Sequence, residues 1–308
     1  MPTHRDCAIG FSARRPHGAP RCLLVPAILG ALAFTPALAA SARKSAGPPP
    51  TCVLETVASG TVQTIVDGTT FVLADGREVR LAGIEVPSLP GPNQAAPAEA
   101  STTAAAPESP PPDPGLAAAA ALRDLLNGQE VILKHPKLVN DRYGRILADA
   151  LVSHDGGAVF AAKTLLAQGL ARVAARPGEA ACAAELRTIE RTARAAKLGV
   201  WADPRYFPKQ ADNPAGVAAE RGRFTLVEGK VVSVRESGGT IYINFGRRWS
   251  EDFTVTILKR NERLFTAAGL EPRALAGRRV MVRGWIEERG GPWIDAAGPE
   301  QIEIIAER

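Results

Sequence analysis

The chain has 308 residues, of which 45% are hydrophobic and only 5% aromatic, with 37 basic and 32 acidic side chains and a net charge of +5. That length suggests two domains, since single cores rarely grow past about 250–300 residues. The composition excludes collagen, coiled coil, a multi-pass membrane protein and a wholly disordered chain. The 54 alanines are well over a third of the hydrophobic class, so 45% overstates the core.

At the front, Arg14, Arg15 and Arg21 precede an apolar run from Leu23 to about Ala40. A basic segment, a short apolar stretch and small residues at Ala37 and Ala39 describe a secretory signal peptide over 1–39, cut near Ala39. The alternative is a membrane anchor, but Pro26, Thr35 and Pro36 interrupt a run barely long enough to span a bilayer. The expectation is an exported protein, periplasmic or secreted, with no transmembrane segment in the mature chain. Removing the leader takes away four Arg and one Asp, which leaves 33 basic and 31 acidic groups, or +2. The hint of a polyanion partner mostly leaves with it. Cys7 and Cys22 go too, and the remaining even pair, Cys52 and Cys182, predicts a disulfide in an oxidising compartment. Two buried thiols are the alternative.

Residues 40–51 read as a flexible leader. From Cys52 to about Ala82 the pattern is strand-like, with a hairpin signal at Asp75-Gly76. Residues 88–115 hold eight Pro and seven Ala and read as a disordered insertion. Leu116–Leu126 is predicted helical, stopped by Asn127-Gly128. Strands are expected over Glu130–Lys134 and Arg145–Val152, and helices over Ala158–Gln168 and Ala180–Lys197. Pro204, Pro208 and Pro214 mark a linker over 204–222. Residues 223–308 are again β-patterned, and several short strands with turn signals suggest a small barrel.

Three stretches carry the chemistry: Val66-Asp67-Gly68-Thr69-Thr70, then Arg80-Leu81-Ala82-Gly83-Ile84-Glu85-Val86-Pro87-Ser88, then Asn140-Asp141-Arg142-Tyr143-Gly144-Arg145. They are followed by Gln168-Gly169-Leu170-Ala171 and Leu198-Gly199-Val200-Trp201. Singly each is bland, but in this order and spacing they resemble the staphylococcal nuclease (thermonuclease) family over roughly residues 55–203. The resemblance implies a β-rich α+β fold: a five-stranded OB-type barrel with three helices over 52–203, followed by a small β-barrel-like accessory domain over 223–308. It implies phosphodiester hydrolysis, a nucleic acid partner (DNA or RNA) and Ca²⁺ as cofactor. Arg80 and Arg145 match the family's two catalytic arginines, suited to phosphate by their planar, permanently charged forks. Asp67 and Glu85 match metal-binding acids, and Arg142 and Tyr143 fall beside the substrate.

Two departures stand out. The second acid of the metal-binding hairpin is Thr69, and the presumed general base is Ser88. Neither side chain is an anion or a base near neutral pH. The family's nucleotide-stacking tyrosines are also missing, with Ala175 and Pro177 near their positions. Three readings follow. The first is a degenerate nuclease site that binds nucleic acid or a phosphorylated ligand with weak or no hydrolysis. The second is an active metal-dependent phosphodiesterase in which Asp67, Glu85 and Asp141 assemble a different metal site. The third is an envelope scaffold or protein-interaction module.

Segment 116–223 carries 16 basic and 11 acidic residues, and Arg187, Arg191 and Arg194 lie at helical spacing, as a solvated face would require. Tyr242, Phe245, Trp249, Phe253, Trp285 and Trp293 concentrate aromatics in the C-terminal unit. They either fill a small core, the preferred reading, or stack bases.

Overall fold

The computed structural model describes residues 52–87, 113–175, 180–248 and 250–305. Residues 1–51, Ser88, residues 88–112 of the insertion expected over 88–115, Pro177 and Trp249 lie outside them.

The first half is built on β1 (Glu55–Ile65), β2 (Thr70–Leu73), β3 (Glu78–Leu81) and β4 (Ile84–Glu85). Helix α1 (Pro114–Leu126), β5 (Glu130–His135), β6 (Ile146–His154), β7 (Gly157–Phe160), α2 (Ala161–Ala167), β8 (Arg172–Val173) and α3 (Ala180–Ala195) follow. Strand β1 is long enough to serve two neighbours. Its first part pairs with β5, its end pairs with β2, and register shifts at Thr56/Ala58 and Val62/Thr64 let it bend between them. β3 then pairs in parallel with β6, which closes β1, β2, β3, β5 and β6 into a five-stranded barrel. Alternation puts Phe71, Leu73, Val79, Leu81, Leu133 and Ala148 inside, all fully buried.

The helices follow local rules. Asp113 caps α1 by accepting the Gly115 N–H at 2.8 Å, and Pro114 opens the first turn. Gly68 in the first hairpin touches this helix, since a Cβ there would stand 2.7 Å from the Ala118 Cβ. Ala158–Phe160, expected as the start of a helix, instead pair with Leu151–Ser153 of β6. The helix begins at Ala161, where the Asp149 carboxylate on β6 accepts the Ala162 N–H at 2.9 Å. Gly169 and Gly199 belong to motifs 30 residues apart and meet here. Both have positive φ, the Val200 N–H donates to the Gly169 carbonyl at 2.9 Å, and a Cβ on Gly169 would lie 2.2 Å from the Leu198 oxygen. Close approach of two backbones therefore demands glycine at both places.

Cys52 and Cys182 are joined in a disulfide spanning 130 residues, which ties the start of the barrel to α3.

Residues 204–222 carry β9 (Lys209–Gln210) and α4 (Pro214–Ala218). Then come β10 (Phe224–Lys230), β11 (Ser233–Ser237), β12 (Thr240–Asn244), β13 (Thr254–Leu258), α5 (Glu262–Ala267), β14 (Arg279–Trp285), β15 (Glu287–Arg289), β16 (Gly291–Asp295) and β17 (Ile302–Ile304). They make two sheets, ordered β17-β14-β10-β9 and β11-β12-β13-β16-β15, over one core that includes Phe253, Val255, Ile257 and Phe265. Phe245 and Phe253 pack at 5.0 Å, and Trp293 packs edge-on against Tyr242, so most of these aromatics are structural.

The arginine stripe on α3 is only partly a solvated face: all three side chains reach the C-terminal unit, and Arg191 stays 47% exposed. Arg187 donates to the Glu300 carbonyl at 2.7 Å, Arg191 pairs with Glu303 at 2.9 Å, and Arg194 lies 3.3 Å from the Met281 sulfur. Helical spacing sets the face, and groups of the C-terminal unit bond to it. Beneath that stripe Arg283 on β14 reaches Glu190 on α3 at 2.9 Å, with 1% of each side chain exposed.

Candidate functional site

Arg80 on β3 lies opposite Leu147 on β6 in the parallel pairing that closes the barrel. Arg145 sits two residues before Leu147, so the two arginines occupy neighbouring positions on the same outer face. Each is held by a carboxylate. Arg80 donates to Glu85 at 2.7 Å, with 17% and 13% of the side chains exposed. Arg145 pairs with Asp141 at 2.7 Å. Asp141 also accepts the backbone N–H groups of Tyr143 and Arg145, which folds the loop tightly around it. Burial pushes the Asp141 carboxyl up, but the bonds from the Arg145 side chain and these two N–H groups outweigh it and hold the carboxyl below its ordinary value. Tyr143 is 66% exposed and braced by Arg142, whose guanidinium sits 4.7 Å from the ring centre, with Arg145 at 5.2 Å.

The first hairpin is closed internally. Thr69 is 5% exposed, and its N–H and hydroxyl both donate to one Asp67 oxygen, at 2.7 Å and 2.9 Å. Calcium takes six to eight oxygens, several of them carboxylate. Here Thr69 supplies a hydroxyl already given to Asp67, Glu85 is engaged by Arg80, and Asp141 by Arg145. Among the described residues, no three His, Cys, Asp or Glu side chains are grouped to hold a metal ion. This donor set does not fit a calcium ion.

The residues that other strands bring around Glu85, namely Arg172, Phe224 and Trp285, carry no motif in the sequence. Glu85 lies directly across from Arg172 in the β4–β8 pairing. Arg172 is buried. Its guanidinium donates to the carbonyl of Tyr206 and, at 3.3 Å, to that of Phe224, and it stacks against Trp201 and Tyr206. Burial pushes its pKa down to about 10, against the opposing pull of Glu190 and Glu220. Arg172 thus joins the barrel to the start of β10, and beside that joint Phe224 and Trp285 line a recess with Glu85. Trp285, grouped by sequence with the core aromatics, is 54% exposed. Only its place at the end of β14 sets it apart, and strand ends are the least legible feature of a sequence.

A closed five-stranded barrel flanked by helices, with two arginines on one outer face, defines an OB-type domain of nuclease-like build. The family model described as staphylococcal nuclease homologue matches residues 78–203, so the chain carries a domain of that family over this stretch. The match includes Arg80, Glu85 and Arg145 and leaves out the Asp67–Thr69 hairpin. Members of the family depend in general on Ca²⁺. No curated protein matches the chain significantly.

Proposed function

We propose that this is an exported, nuclease-like protein that binds nucleic acid or another phosphorylated ligand through Arg80 and Arg145, with weak or no hydrolysis. Holding a phosphodiester needs only correctly placed cations, whereas cleaving it also needs a base to activate water. The observation that carries the reading is the pairing of the site. Two arginines share one barrel face, while the hairpin position that should supply a further acid is Thr69, bonded back to Asp67. With Ser88 at the position of the general base, the cationic half of the site is kept and the anionic half is reduced. Export is supported by the signal-like leader and by the Cys52–Cys182 disulfide; among the described residues no helix is long and apolar enough to cross a membrane.

The test is anisotropy of labelled single-stranded DNA at low salt. Arg80→Ala and Arg145→Ala should each weaken binding by about tenfold or more and reduce the salt slope by about one unit. Equal binding by wild type and both variants would refute the assignment.

A further inference from the structure

Near Glu85, the carboxylate bonded to Arg80, one large apolar side chain of the C-terminal sheets stands open. Trp285 ends β14, is 54% exposed, and is the direct cross-strand partner of Phe224 on β10. Their ring centres lie 6.2 Å apart at 72°, a T-shaped contact that braces the indole from one side.

The indole borders a cleft of about 270 Å³ that extends to Glu85 on the barrel. On the barrel side the cleft is floored by Ala174 and Ala175, whose methyl groups take up little of it. A smaller recess beside it joins Glu85, Pro87 and Arg172 to the same Phe224 and Trp285. The carboxylate bonded to Arg80 is therefore shared with the aromatic cleft. On the far wall Glu287 and Asp295 both pair with Arg289, which leaves one negative charge in excess. That wall disfavours phosphate and tolerates a flat ring with amino donors.

The geometry points to Trp285 as a stacking platform for a base of the ligand whose phosphate is held at Arg80 and Arg145. The inference rests on the phosphate-binding reading and adds that the C-terminal sheets complete the ligand site. Stacking is indifferent to sequence because every base has a π-face. The acid wall and the arginine pair set the direction, with ring toward β14 and phosphate toward β3.

The test compares the full protein with Trp285→Ala and Trp285→Phe on two probes of equal length, an oligodeoxycytidylate and an abasic oligomer. Trp285→Ala should weaken the base-bearing probe about tenfold and leave the abasic probe unchanged, and Trp285→Phe should restore most of the loss. If wild type binds and Trp285→Ala keeps its affinity for both probes, or loses equally on both, Trp285 is not a platform and the inference falls alone. If wild type binds neither probe, the phosphate reading falls and takes this inference with it. Sedimentation of the same proteins identifies the rival occupant: a change of oligomeric state with unchanged affinity would make Trp285 a protein contact and overturn the proposal.

Discussion

Arg80 and Glu85 meet at 2.7 Å from two successive short strands, with most of each side chain out of solvent. An incoming phosphate must compete with that carboxylate for the guanidinium. Glu85→Gln keeps the shape and removes the charge. It should tighten binding of single-stranded DNA by about fivefold, about 1 kcal/mol, read by anisotropy. Weaker binding would mean that Glu85 contributes to the ligand rather than opposing it.

Arg283 and Glu190 are each 1% exposed, and Glu190 also accepts the Val173 N–H at 2.9 Å. Removing one partner strands a charge in the interior. Arg283→Met or Glu190→Leu alone should cost about 3–5 kcal/mol in urea unfolding, and the double variant should recover much of it. Additive losses would show that the two do not act as a pair.

The disulfide joins residues 130 positions apart, so it restricts the unfolded chain strongly. The chain-entropy estimate is about 5 kcal/mol. Cys52→Ala with Cys182→Ala should lower the urea midpoint accordingly, and reductant should do the same to wild type only. A midpoint indifferent to both treatments would contradict this.

Asp149 is buried, and burial pushes its carboxyl up to about 7 from an ordinary 3.8, against the hydrogen bonds of the Ala162 and Ala150 N–H groups and the charge of Lys163. Between those two values the folded state binds the extra proton. Asp149 therefore makes stability fall as pH rises from about 4 to about 7. Asp149→Asn should flatten that part of the stability profile and leave the variant more stable than wild type at pH 8. An unchanged slope would remove Asp149 as its source.

Much of this architecture was legible in the sequence. Asp75-Gly76 announced the hairpin between β2 and β3, and the parity of Cys52 and Cys182 announced the disulfide. The ordered motifs announced the barrel, and the Gly169–Gly199 contact explains why two of those motifs occur together. What periodicity does not carry is the identity of the partner. The spacing of Arg187, Arg191 and Arg194 defines a face, but only the fold says that Glu300, Met281 and Glu303 are its partners. No motif or periodicity marks Arg172, and its burial depends on Tyr206 and Phe224, which lie 34 and 52 residues away. Trp285 shared its composition with core aromatics and differs from them only in standing at a strand end.

On the proposed function, Arg80 and Arg145 hold a phosphodiester that the protein cleaves weakly or not at all. The direct measurement is a digestion time course of single- and double-stranded DNA by the purified protein, with Ca²⁺ and with chelator, alongside binding to the same DNA. Arg80-dependent binding with little or no cleavage is expected under either condition. Calcium-dependent cleavage that disappears in Arg80→Ala would contradict it.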